Sequence, residues 1–131
     1  MVAEPKISAD EKGASVHYSV GVLICKDGKY LLIDRVKSPL GFAAPAGHVD
    51  EGEDEVQAVK REVKEESGLE VVDYKLIGEC ELDWNWCSKG IGSHYWHVFE
   101  CAVLGTLQAD PREVKSIGWY APKEIDRKSV V

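Results

Sequence analysis

This chain has no apolar run approaching the roughly 20 residues that a membrane-crossing helix needs, so no helical span is expected in it. Its opening residues, Met1-Val2-Ala3-Glu4-Pro5-Lys6, lack the apolar centre of a secretory signal, and a cytoplasmic location is the expectation. Positive charge is also short, with 16 Lys and Arg against 23 Asp and Glu for a net charge of −7. Binding a long nucleic acid through its phosphates takes basic patches, so that partner class is excluded, as is a membrane. There are four cysteines, Cys25, Cys80, Cys87 and Cys101. Cys25 and Cys101 lie in strand-like apolar runs and read as small buried residues. A zinc site from Cys80, Cys87, His94 and His97 would need cysteines closer together than these. Repeats, low-complexity tracts and an alternating strand–helix rhythm are absent too, which excludes solenoids and a doubly wound sheet.

What is present suits one domain of 131 residues, long enough for a real core. Residues 1–15 read as a loose leader. Val16–Cys25 is rich in β-branched residues and reads as a buried strand. Asp27-Gly28 signals a hairpin turn into a second strand over Tyr30–Val36. Lys37–Pro45 reads as a loop, marked by Pro39, Gly41 and Pro45. Ala46–Val49 is a short strand candidate, and a helix is predicted over about residues 53–67. Val71–Leu82 reads as a long strand with a break near Gly78, then Asp83–Ser93 as a loop, His94–Leu104 as a strand and Ala109–Lys115 as a loop. Ser116–Tyr120 is a last strand, and Ala121-Pro122 opens a short helix. The order predicts an α+β fold: a mixed sheet between a central helix and a C-terminal helix, an α/β/α sandwich.

The chemistry concentrates between Gly47 and Leu69. Eight acidic and three basic residues give this stretch −5 of the net charge. A carboxylate, Glu53 or Asp54, stands where free N–H groups open the helix, and Gly68 stands where a left-handed residue ends it. At helical spacing Val56, Val59 and Val63 form one stripe, with Glu62, Glu65 and Glu66 beside it. Three carboxylates at these offsets repel one another, and a cation between them reverses that sign. Hard oxygen donors suit Mg²⁺ or Mn²⁺ with substrate phosphate as a further ligand.

Gly47, Glu53, Arg61, Glu62, Val63, Glu65, Glu66, Gly68 and Leu69 fill a pattern that runs G-x5-E-x7-R-E-U-x-E-E-x-G-U, with U apolar. The stretch thereby resembles the signature of the Nudix hydrolases, and the short chain around it is similar to a MutT-like domain. The resemblance implies a Mg²⁺-dependent pyrophosphohydrolase, with Mn²⁺ as a substitute. Glu65 and Glu66 would be the principal metal ligands, and Glu62 a further ligand or the base. Arg61 would orient Glu62, the Gly47 carbonyl would reach the metal, and Glu53 would hold the loop. Glu113, before the last strand, would bind metal or act in catalysis. Arg35 would face substrate phosphate. Trp84, Trp86 and Tyr95 would stack on a base, and alternation puts Tyr95 and His97 on one sheet face, His94 and Trp96 on the other.

The expected substrate is a nucleoside diphosphate linked to a further group, first of all a nucleoside triphosphate giving monophosphate and pyrophosphate. Pro45-Ala46-Gly47 resembles the opening of ADP-sugar pyrophosphatase boxes, but Asn85 stands where that group has a proline. A nucleotide-sugar or dinucleotide pyrophosphatase is therefore the alternative enzyme, and a non-catalytic nucleotide sensor the alternative of another class. The acidic loop Asp50-Glu51-Gly52-Glu53 lacks the ligand spacing of an EF-hand. Dimers are common in the family, and a homodimer is compatible with the chain.

Overall fold

The computed structural model describes residues 7–9, 15–36, 41–82, 93–112 and 114–125. Strand β1 (Ile7–Ala9) lies antiparallel against β2 (Ser15–Lys26). The Asp27-Gly28 turn, with φ of 53° and 76°, folds β2 back into β3 (Lys29–Arg35). Two consecutive left-handed residues match the twist of a two-residue hairpin. The segment expected to be a loop contains β4 (Gly41–Ala43), paired antiparallel to β3 from Ile33↔Ala43 to Arg35↔Gly41. Its three residues lie between glycine and proline punctuation, too short to show a period of their own.

β5 (Ala46–His48) follows, then helix α1 (Glu55–Ser67). The helix opens at Asp54, whose side chain accepts from Gln57 N at 2.8 Å while Gln57 Oε1 accepts from Asp54 N at 2.9 Å. This reciprocal pair satisfies two donors that a helix start would otherwise leave open. The helix ends at Gly68, with φ 76°, whose N–H donates to Lys64 O at 2.9 Å. β6 (Glu70–Leu82) and β7 (Ser93–Leu104) form a long antiparallel pair. β6 runs through Gly78 without a break, but its register slips between Val71 and Asp73 and between Leu76 and Gly78. β8 (Val114–Tyr120) pairs with β3, and α2 (Pro122–Ile125) is one turn.

β2 organises the sheet. It runs parallel to β7 from Val16↔Ser93 to Ile24↔Cys101, takes β5 on its other side, and continues into the β3–β4–β8 ladder. The result is a mixed sheet of the α+β class. The period-2 alternation of β2 sends Val20, Val22 and Ile24 into the core with Leu31, Val49, Ala58, Val59, Val63, Leu69, Phe99 and Cys101. The valine stripe of α1 meets this face. Cys25 was expected in the core and is exposed instead, since it follows Ile24 on the alternate face beside the turn, whereas Cys101 is buried. No helix among the described residues is long and apolar enough to cross a membrane.

Candidate active site

Register decides what meets α1. Gly47 is opposite Val20 and so shares the core face, whereas His48 is opposite Ser19 and points to the other. Glu62 rises from the helix onto Gly47. A Cβ on Gly47 would overlap the Glu62 carboxylate, so only glycine permits this approach. One turn on, Glu66 is buried at 5% exposure and accepts from Ala46 N at 3.2 Å. Glu65 projects outward, with its side chain 54% exposed. The three glutamates thus split into an inner pair and an outer single.

Arg61 organises the loop. One of its terminal nitrogens donates to Glu62 Oε1 at 2.7 Å and to Glu65 Oε2 at 3.3 Å. The other donates to Glu53 Oε1 at 2.7 Å and to the His48 carbonyl at 2.8 Å, and lies 3.4 Å from Asp50 Oδ2. Its Nε also faces Glu53, at 3.2 Å from Oε2. Glu53 accepts in turn from Asp50 N at 2.8 Å. The hydrogen bond expected from Arg61 to Glu62 is therefore present. Asp50 and the His48 carbonyl were not anticipated as partners, because the motif treats both positions as variable. A planar fork with five donors can serve several acceptors at once.

Electrostatics separates the carboxylates. Burial works against the charge on Glu53, but the Arg61 hydrogen bond, Asp50 N–H and the Arg61 charge hold its carboxyl below the usual range. Burial, followed by the charge of Glu62, pushes Glu66 up to about 9, against the pull of Arg35 and Ala46 N–H. Burial also raises Glu62, despite its hydrogen bond with Glu66 and the Arg61 charge. Two carboxylates in contact away from water hold a shared proton or a cation between them. With Glu65 and the Gly47 backbone alongside, the donors are all oxygen, the set that suits a hard divalent cation.

The structure thus brings Gly47, Arg61, Glu62, Glu65 and Glu66 together, and the charge of Arg35, the last residue of β3, pulls on Glu66. Tyr95 lies on the α1 face of the sheet, its ring 6.1 Å from Tyr18 and 5.2 Å from His97. His97 Nε2 lies 2.8 Å from Glu79 Oε1. As expected from alternation, His94 and Trp96 share the opposite face, with ring centroids 6.3 Å apart. Trp84, Trp86, Cys87 and Glu113 lie outside the described residues.

A family model described as the NUDIX domain matches residues 15–130. The ADP-ribose pyrophosphatase of Methanocaldococcus jannaschii is 48% identical over 67 residues, covering 48% of this chain and 40% of that protein. The chain thus matches less than half the length of that relative. The CTP pyrophosphohydrolase of Escherichia coli is 32% identical over 108 residues, covering 80% of this chain and 76% of that protein. The crystal structure of a MutT NUDIX hydrolase from Burkholderia pseudomallei superposes with a TM-score of 0.71 at 28% identity, covering 81% of this chain and 83% of that one.

Proposed function

This chain belongs to the NUDIX domain family, and we propose from that premise that it hydrolyses a phosphoanhydride bond in a nucleoside diphosphate derivative, first of all a nucleoside triphosphate. The observation that carries the reading is the buried Glu62–Glu66 pair, fixed by Arg61 against Gly47. Glu65, Glu66 and the Gly47 carbonyl would hold Mg²⁺, with Mn²⁺ able to substitute. When bound, that ion neutralises phosphate charge and lowers the pKa of a coordinated water.

The remaining work falls to the chain. Arg61 keeps Glu62 at a fixed position by a 2.7 Å charge-assisted hydrogen bond, and Glu53 and the His48 carbonyl keep Arg61 from swinging away. Glu62, whose burial raises its proton affinity, takes the proton of the attacking water as the P–O bond to the leaving phosphate breaks. Arg35, on the Glu66 side, meets the charge of the transferred phosphoryl group. For a triphosphate the products are a nucleoside monophosphate and pyrophosphate. The name and coverage of the Escherichia coli relative support a triphosphate. The 48% identity to an ADP-ribose pyrophosphatase favours a second reading, in which the leaving group is a sugar phosphate.

Mass spectrometry of products from a panel of (d)NTPs, ADP-ribose, NADH and diadenosine polyphosphates, with Mg²⁺, tests both. Monophosphate plus pyrophosphate from one triphosphate is expected, falling by about a hundredfold or more in Glu66→Gln. Two organic monophosphates would transfer the assignment to the second reading. Tight binding of one compound without turnover of any would overturn hydrolysis and identify a nucleotide sensor.

A further inference from the structure

Three of the protein's four histidines converge on the sheet face away from α1. His17 comes from β2, His94 from β7 and His48 from β5. His17 and His94 are register partners in the parallel ladder, and His48 opposes Ser19, two residues along β2. His17 is 1% exposed and His94 2% exposed, with His48 half-buried at the rim. Their rings form a tight group: His17 meets His48 edge-on at 4.4 Å and His94 at 5.4 Å, while His48 stacks on His94 at 5.5 Å with planes 17° apart. One ring nitrogen of each lies within 4.8 Å of the other two.

The geometry points to a zinc site formed by His17, His48 and His94, separate from the carboxylate cluster. The convergence of three imidazoles from three strands carries it. His48 Nε2 and His94 Nε2 stand 3.4 Å apart. Two nitrogens each about 2.0–2.1 Å from a tetrahedral zinc are about 3.3–3.4 Å apart. Imidazole is the donor of choice for zinc, whereas Mg²⁺ takes oxygen ligands. Three protein ligands would leave one position for solvent. Three strands distant in the sequence supply the ligands, so the ion would tie the three-residue β5 to β2 and β7. β5 also carries Gly47, and the His48 carbonyl receives Arg61 at 2.8 Å. The zinc would therefore stiffen the floor of the hydrolytic loop without touching substrate.

The test uses the full chain stripped by chelator, with saturating Mg²⁺ present. One equivalent of Co²⁺ should give the intense visible absorption of tetrahedral cobalt in the wild type and in Glu66→Gln, which lacks an inner carboxylate. His48→Gln, at the half-buried position, should lose that absorption while its circular dichroism stays unchanged. Zn²⁺ should raise the melting temperature of the first two proteins and leave His48→Gln unmoved. Should His48→Gln fail to fold, ring ¹⁵N shifts of the wild type decide: Zn²⁺ should move His17, His48 and His94 and leave His97 in place. Absence of the absorption, its loss in Glu66→Gln alone, or unmoved imidazole nitrogens would overturn the site.

Discussion

At the residue scale the site depends most on Arg61. Its side chain is only partly exposed, yet Glu53 and Glu62 hold it firmly protonated, and it serves four acceptors on three segments of chain. A lysine would keep the charge but offers one compact ammonium in place of the fork. Arg61→Lys should therefore lower kcat by about 10–100-fold and weaken half-saturation by Mg²⁺, with circular dichroism unchanged. Steady-state kinetics at varied Mg²⁺ checks this, and a variant within twofold of wild type on both readings would remove Arg61 from its positioning role. Much of this cluster was legible in advance, because the spacing of Arg61, Glu62, Glu65 and Glu66 on a helix maps directly onto one surface. The inequality between Glu65 and its neighbours was not legible. It depends on Gly47 and Ala46 arriving from β5, and nothing local to the helix encodes that arrival. The histidine cluster was hidden for the same reason, since strand pairing alone brings His17 and His48 to His94.

At the scale of the element, α1 carries an electrostatic cost on its buried side. Burial and then the Glu62 charge push the Glu66 carboxyl up to about 9. A folded-state pKa raised above the ordinary carboxyl value means that the folded form holds the proton more tightly than the unfolded chain. That stabilisation is fully present below about pH 4.5 and is lost as pH rises through about 9. Glu53 has the opposite sign, its contribution vanishing only as pH falls below the ordinary carboxyl range. Cys101, pushed up to about 11 by burial and then by Asp73 and Glu100, loses its contribution only at higher pH. Between pH 5.5 and 9 the metal-free protein should therefore melt at progressively lower temperature, and Glu66→Gln should flatten the slope. Mg²⁺ at pH 8 should restore wild-type stability by mass action. Calorimetry in chelator across this range checks it, and a wild-type melting temperature that is level or rising would refute the shared-proton description. The helix itself was readable from its periodicity and its Gly68 end. Asp54 as the cap, rather than Glu53, emerges only once Arg61 is seen to claim Glu53.

At the scale of the whole molecule, strand β2 has two roles. It pairs with β7 along residues 16–24 and with β1 and β5 on its other side along residues 15–21, and its end turns directly into the β3–β4–β8 ladder. The individual strands were legible as apolar runs, but the parallel pairing of β2 with β7 was not, because a parallel ladder leaves no turn signature between its strands. This shared strand has a mechanical consequence. Ile24 is 1% exposed, pairs with Cys101 in one ladder, and packs with Leu31 of the next strand in the common core. Removing its side chain opens a cavity that both ladders border. Ile24→Ala should cost about 2–5 kcal/mol and lower the melting temperature by roughly 10 °C or more. The loss should fall on both ladders in one step. Trp119, on β8 and packed against the core, reports the far ladder through its indole NMR signal, while far-UV ellipticity reports the sheet as a whole. Coincident transitions, displaced together by Ile24→Ala, are expected. If the Trp119 signal kept its wild-type midpoint while ellipticity fell early, the two ladders would be separate cooperative units, and the loop between β5 and α1 would depend on the β2–β5–β7 part alone.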